Sequence, residues 1–343
     1  RSNSDASPLK GGALLHLTPI IESVTAMHSR RKIHLFGPGD VDFHLSYRTC
    51  IDAMRAAMLA LSEGALNQLP RCFLALGDND RFGIMVGSLG EKEIFGAKLI
   101  SIFPGNIAKG RPSHLGLVAL FDREDGDIVC LIDAGMLTAI RTACASAAAT
   151  DILARPDAST LAILGYGEQA ETHIRAVREV RRIREIRVWG RDKDRQVAFA
   201  KRMEAEHAVI CLTSHDPAAA VDGADIVCTT TAAIEPINVV GFAGANGAEV
   251  DAELVLRSRY FADSRASVHA EAGEFLLLLR QESICEDHMI AEIGEVFAGR
   301  VIGRRTDDEI TLYRSLGHIA QDLAAGRGLV DTARAKDICA TLL

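Results

Sequence analysis

Three cationic side chains stand in segments that are otherwise apolar. Arg71 follows Pro70 at the head of RCFLAL, Lys98 interrupts FGAKLISIF, and Arg141 lies inside MLTAIRTACASA. A buried cation without a partner is costly, so each must meet an anion or face a cavity. Any one of them could pair with a fixed acid or reach solvent along its aliphatic stem. Three in segments short of acids point instead to a shared anionic ligand, and a carboxylate is the natural choice. Lys98 could also carry a proton, because neighbouring cations lower a lysine pKa.

The second constellation is a glycine turn in STLAILGYGEQAETHIRAVREV, residues 159–180. An apolar run stops at Gly165, and a helical pattern begins within a few residues. Gly165-Tyr166-Gly167-Glu168-Gln169-Ala170 reads as G-x-G-x-x-A. Gly165 makes the tight turn and Gly167 lets backbone N–H groups approach a pyrophosphate. Ala170 lets the helix pack close to the strand, while Glu168 and Gln169 open the helix at the phosphate. Thr229, Thr230 and Thr231 end a later strand and either line the cofactor or are ordinary strand threonines. Cofactor choice turns on the end of the second strand, IREIRVWGRD. An NAD site usually has an acid there for the ribose 2′-OH. This chain has Gly190 and then Arg191, whose fork can bind a 2′-phosphate. NADP is therefore favoured over NAD, with Asp192 as the feature that argues for NAD.

These residues need elements to hold them. A strand from about Ile33 leads to a helix over YRTCIDAMRAAMLALSEG, stopped by Gly64. Apolar runs bounded by turn residues follow, and Asp125-Gly126 marks a hairpin. They predict an antiparallel sheet, left by one long Ala-rich helix over 133–154. Strands at 160–164, 185–189, 208–212 and 225–230 then alternate with helices at 168–180, 193–206 and 217–222. That alternation predicts a doubly wound parallel sheet. The fold class is α/β, a Rossmann domain plus an α+β substrate-binding and dimerisation domain. Boundaries fall at 1–30 for a flexible extension, 31–130 for the substrate domain and 131–320 for the Rossmann domain. Residues 321–343 pack back on the first. TDDEIT, 306–311, reads as a helix start with Thr306 as N-cap, and the stretch after it reads as helical.

Bulk properties exclude several classes. With 343 residues and 48% hydrophobic content the chain suits two domains with sizeable cores. A net charge of −8 argues against nucleic acid. No apolar run approaches the roughly 18 residues of a membrane helix. The 8 cysteines include no C-x-x-C pair, so buried thiols in a reducing cytoplasm are expected, and no metal site is expected.

GAKLISIFPGN, LIDAGMLTAIRTACASA, ILGYGEQA and TDDEITLYRSLGHIAQDLAA occur in that order. Together they resemble the ornithine cyclodeaminase/mu-crystallin family over about residues 33–330. The resemblance implies a Rossmann domain, a second domain that forms a homodimer through its sheets, and substrates that are small amino or imino acids. Arg71, Lys98 and Arg141 fall on the family's substrate-carboxylate and catalytic positions, with Lys98 the catalytic one. The chain departs from the family at VVGFAGANGAEVD, 239–251, where Ala243 matches the family's acid–base Asp. A methyl group cannot shuttle a proton. The segment after Pro236 is also shorter than the family pattern, and Asn246 is the nearest polar side chain. A simple imine reduction survives that loss better than a cyclodeamination does. The expected activity is therefore NAD(P)H-dependent reduction of an imino acid such as pyrroline-2-carboxylate, piperideine-2-carboxylate or iminopropionate. The alternatives are an ornithine cyclodeaminase and a non-catalytic NADP-binding crystallin. His318 is expected to be a helix residue near the cleft rather than a proton donor.

Overall fold

The computed structural model describes residues 33–230, 248 and 250–336, apart from 78 and 92, with the backbone of 341–342. Residues 1–30, Thr231, Gly241, Ala243, Asn246, the segment after Pro236 and Cys339 lie outside the described residues.

The chain opens with β1 (Ile33–Phe36), α1 (Pro38–His44) and α2 (Tyr47–Ser62). Ser46 starts α2 by accepting the Thr49 N–H on its Oγ at 3.1 Å. Six strands come next: β2 (Asn67–Gln68), β3 (Cys72–Ala75), β4 (Arg81–Ser88), β5 (Phe95–Ile102), β6 (His114–Phe121) and β7 (Ile128–Asp133). β4 to β7 form the expected antiparallel meander, and β1 joins its end parallel to β7. Residues 341–342 add a strand beyond β1. On β4 the faces alternate: Met85 enters the core while Ile84 and Val86 point outward. The inner face packs Val118, Leu120 and Ile132 against Ile51 and Met54 of α2. Each such side chain contributes about 1.5–3 kcal/mol through burial.

Asp133 ends β7 and caps the next helix, accepting the Met136 N–H at 2.8 Å. That helix, α3 (Ala134–Leu153), is alanine-rich and buried on nearly every side. Small side chains let α2 and the helix after the glycine turn approach it from different sides. Next come β8 (Thr160–Leu164), α4 (Glu168–Arg178), β9 (Glu185–Trp189) and α5 (Lys193–His207). β10 (Ile210–Thr213), α6 (Pro217–Val221) and β11 (Ile226–Thr229) complete the run. The four strands are parallel in the order β10-β9-β8-β11, half of a Rossmann sheet. β10 starts two residues later than expected because α5 continues to His207. Ala208, with φ 49°, then closes the helix.

The remainder holds α7 (Ala252–Arg257), β12 (Ser258–Ala262), α8 (Arg265–Glu271), α9 (Gly273–Arg280) and β13 (Met289–Glu292). α10 (Ile293–Phe297), β14 (Ile310–Arg314) and α11 (Ile319–Ala335) end the series. β13, β12 and β14 form a separate parallel sheet. The expected helix at 306–311 is overturned. The Glu309 carboxylate accepts the N–H groups of Arg305 and Thr306 at 2.7 and 3.4 Å, which makes a turn. The chain then enters β14 at once, so 310–314 is strand and helix begins only at Ile319. α11 lies on the first sheet, with Ile319, Leu323 and Leu329 in the same core as Val118 and Leu120.

Four of the described thiols, Cys50, Cys130, Cys144 and Cys228, are buried. Cys72 and Cys285 are exposed, contrary to the expectation of buried cysteines, because one lies on an edge strand and the other outside any core.

Candidate functional site

The glycine turn sits where the carboxyl ends of three parallel strands meet. Gly165 has φ +134°, and a Cβ there would lie 2.4 Å from Thr230 Oγ1. Its N–H donates to Trp189 O at 2.8 Å, while Thr230 donates to Leu164 O through its N–H at 2.9 Å and its hydroxyl at 3.1 Å. Only glycine fits between β9 and β11. Gly167 is the N-cap of α4 and brings no capping side chain; a Cβ on it would meet open space. The Ala170 N–H turns back to Gly167 O at 3.0 Å, and the Glu168 and Gln169 N–H groups remain for an outside acceptor, which suits a pyrophosphate. Ala170 is fully buried against the strand. Glu168 is pushed up from the ordinary carboxylate range by partial burial and by the charges of Asp133 and Glu171. Gln169 Oε1 and Thr229 Oγ1 are buried with no hydrogen-bond partner among the described residues, and Thr229 is 1% exposed.

Gly190 lies under the ring of Tyr166, where a Cβ would come within 2.1 Å of Cε1. The Arg195 guanidinium stands 4.8 Å from the centre of that ring. Arg191 is exposed beside it. Asp192 is occupied: its carboxylate caps α5 by accepting the Arg195 N–H at 3.0 Å.

The three sequence-selected cations converge. Lys98 on β5 donates to Thr138 Oγ1 at 2.6 Å and to Asp322 Oδ1 at 3.0 Å. Arg141 on α3 donates through Nε to the same Oδ1 at 3.1 Å and through Nη1 to Gln321 Oε1 at 2.6 Å. Arg71 donates to Leu316 O and Gly317 O at 3.1 and 2.9 Å, and pairs with Glu271 at 3.2 Å. Fixed acids do partner these cations, the alternative weighed against a shared ligand. Asp322 and Glu271 neutralise part of the cluster and come from elements remote in sequence. Gly317, with φ +81°, brings the guanidinium groups of Arg141 and Arg71 to 3.3 and 3.7 Å from the place a Cβ would occupy.

Burial pushes Lys98 down to about 8, with Arg141 and Arg71 adding to the fall and Asp322 opposing it. Burial alone would raise the Asp322 carboxyl, but the charges of Arg141 and Lys98 hold it below its ordinary range. Asp263 is pushed up to about 6 by burial, against the Gly317 and Leu316 N–H groups that it accepts at 2.7 and 2.8 Å. His318 is the N-cap of α11, accepting the Ala320 N–H on Nδ1, and burial lowers it to about 4. It is a neutral ring at the head of a helix.

Thr138, Gln321, Asp322 and Asp263 complete this arrangement and were not singled out by sequence. The link to the glycine turn runs along α3. Asp133 at its start faces Glu168, Thr138 and Arg141 come within the next two turns, and Ser146 meets His173 Nε2 of α4 at 3.0 Å.

Residues 37–337 match the family model described as ornithine cyclodeaminase/mu-crystallin. The chain belongs to that family. A mouse relative, ketimine reductase mu-crystallin, is 30% identical over 310 residues, 85% of this chain and 95% of the relative. A Bacillus cereus Delta(1)-pyrroline-2-carboxylate reductase is 29% identical over 253 residues, 70% of this chain and 78% of that one. Among solved structures, Thermococcus litoralis Delta(1)-pyrroline-2-carboxylate reductase, in complex with NADH and L-proline, superposes with a TM-score of 0.85. It is 28% identical, and the match covers 90% of this chain and all of that one. This family member has the Rossmann-plus-α+β fold expected from its sequence.

Proposed function

We propose that the chain is an NAD(P)H-dependent reductase that converts an imino acid to an amino acid. The observation that carries this reading is the convergence of Lys98, Arg141 and Arg71 on the 316–322 segment. Two guanidinium groups can grip a planar carboxylate, and an ammonium near neutrality can protonate a nitrogen. When bound at the Gly165 turn, the reduced cofactor supplies the hydride. The arginines hold the substrate carboxylate and so fix the C=N bond. Lys98 gives its proton to the nitrogen as the carbon gains the hydride, and water restores the ammonium. The net step consumes one imine, one hydride and one proton, and yields the amine.

NADPH is the favoured reductant. At the end of β9 one carboxylate oxygen of Asp192 is engaged in capping α5, and the exposed Arg191 can meet a 2′-phosphate. A homodimer is proposed through the outward face of the first sheet, where Leu74, Ile84 and Val86 are exposed together. The buried free thiols suit the reducing cytoplasm. No described helix is long and apolar enough to cross a membrane.

The names of the relatives agree with pyrroline-2-carboxylate as the first substrate to try. The test monitors absorbance at 340 nm with NADPH and each of pyrroline-2-carboxylate, piperideine-2-carboxylate and iminopropionate, and assays ammonia from ornithine with NAD. NADPH loss with an imino acid supports the reductase. Ammonia release without imine reduction would replace it with the cyclodeaminase, and tight NADPH binding with no turnover would replace it with a binder.

A further inference from the structure

We propose that Asp322 is a positioning residue for the reaction, orienting Lys98 and Arg141 through one shared carboxylate oxygen. The inference rests on the imino-acid reductase reading and deepens it. Three elements meet at this atom: β5 brings Lys98, α3 brings Arg141 and α11 brings Asp322. Oδ1 accepts from Lys98 Nζ at 3.0 Å and from Arg141 Nε at 3.1 Å. The side chains are 3%, 7% and 0% exposed for Lys98, Arg141 and Asp322, so solvent does not loosen the geometry.

Counting donors shows what the arrangement accomplishes. An ammonium has three N–H bonds in a tetrahedral array. Lys98 gives one to Thr138 Oγ1 and one to Asp322 Oδ1, and the direction of the third is then set. Arg141 is oriented by consecutive residues of α11, Gln321 at Nη1 and Asp322 at Nε, which leaves Nη2 for a ligand. Asp322 is wholly enclosed, so it acts through these two cations and not on the substrate.

Charge acts in the same sense. Arg141 and Arg71 face Lys98 and disfavour its ammonium, as burial does. His114 on β6 faces it as a neutral ring, because burial and then the Lys98 charge keep it deprotonated. His318, one turn before Asp322, is neutral as well. Asp322 supplies the opposing negative charge. Without it Lys98 would shed its proton at lower pH, and a proton donor would be lost in the working range.

The experiment measures kcat and KM against pH for pyrroline-2-carboxylate reduction by the full chain with NADPH. For Asp322→Asn the high-pH limb should move down by about one pH unit or more, with kcat at pH 8 lowered at least about fivefold. NADPH affinity, read by fluorescence, should stay at the wild-type value. Asp322→Glu keeps the charge but shifts the oxygen, so it should return the limb to its wild-type position while kcat stays reduced. An Asp322→Asn profile that superimposes on wild type overturns the proposal. If that variant does not fold, Asp322→Glu decides: reduced kcat with an unmoved limb supports the role, and wild-type kcat and KM reject it. Wild-type protein that reduces no imino acid would instead bring down the reductase reading beneath.

Discussion

Lys98 is the proton donor in the proposed reduction. Lys98→Ala should abolish turnover while leaving the NADPH dissociation constant, measured by titration calorimetry, nearly unchanged. In the proposed reaction the group serves as an acid in the reductive direction. Its proton is present below about 8 and lost above it, so the reductive rate should fall as pH rises through that value. Amino-acid oxidation needs the neutral amine and should rise over the same range. A pair of pH profiles checks both signs. At the other end of the site, Arg191→Ala should weaken NADPH by about tenfold, the worth of one charge-assisted contact, and leave NADH unaffected. Equal losses for both cofactors would show that Arg191 does not read the phosphate. The three cations could be found from sequence because charge inside an apolar run is conspicuous. Asp322 could not, since an acid within HIAQDLAA looks like any solvated helix residue. Its partner Lys98 lies 224 residues earlier in the chain.

At the level of elements, the turn between β8 and α4 is the most constrained. Gly165→Ala would put a methyl group into Thr230 Oγ1 at a positive φ. That change should cost about 1–3 kcal/mol of stability and abolish cofactor binding, both visible in thermal melts with and without NADPH. A Gly167→Ala control meets open space in the protein alone, so its effect should appear only when cofactor is added. Strand β8 was readable to the residue because a strand buried on both faces is a nearly continuous apolar run, and β9 because buried Ile186 and Val188 alternate with less buried neighbours. Thr306-Asp-Asp-Glu309 misled because it carries a capping-box pattern, and Glu309 does reach back to the Thr306 N–H as that pattern requires. Residues 310–314, however, form a strand held by β12, so pairing with a distant partner decides the conformation. No local signal contains that partner.

Over the whole molecule, the proposed dimer uses the outward face of the first sheet. Leu74 is 61% exposed on β3, on the same face as Ile84 and Val86 of β4. Leu74→Glu together with Val86→Glu should yield a monomer by light scattering, where the parent chain gives a dimer. A parent chain that is already monomeric at the same concentration would reject the dimer.

The route of α11 has a consequence for biosynthesis. Residues 319–335 leave the ribosome long after the strands they cover, yet they carry the carboxylate that satisfies Lys98 and Arg141. Until they emerge, Lys98 and Arg141 lack the carboxylate they share in the finished fold, and the sheet has the cover of α2 and α3 but not that of α11. Nascent chains stalled before this segment should therefore remain protease-sensitive throughout the first lobe, and maturation should occur in one late event once it emerges.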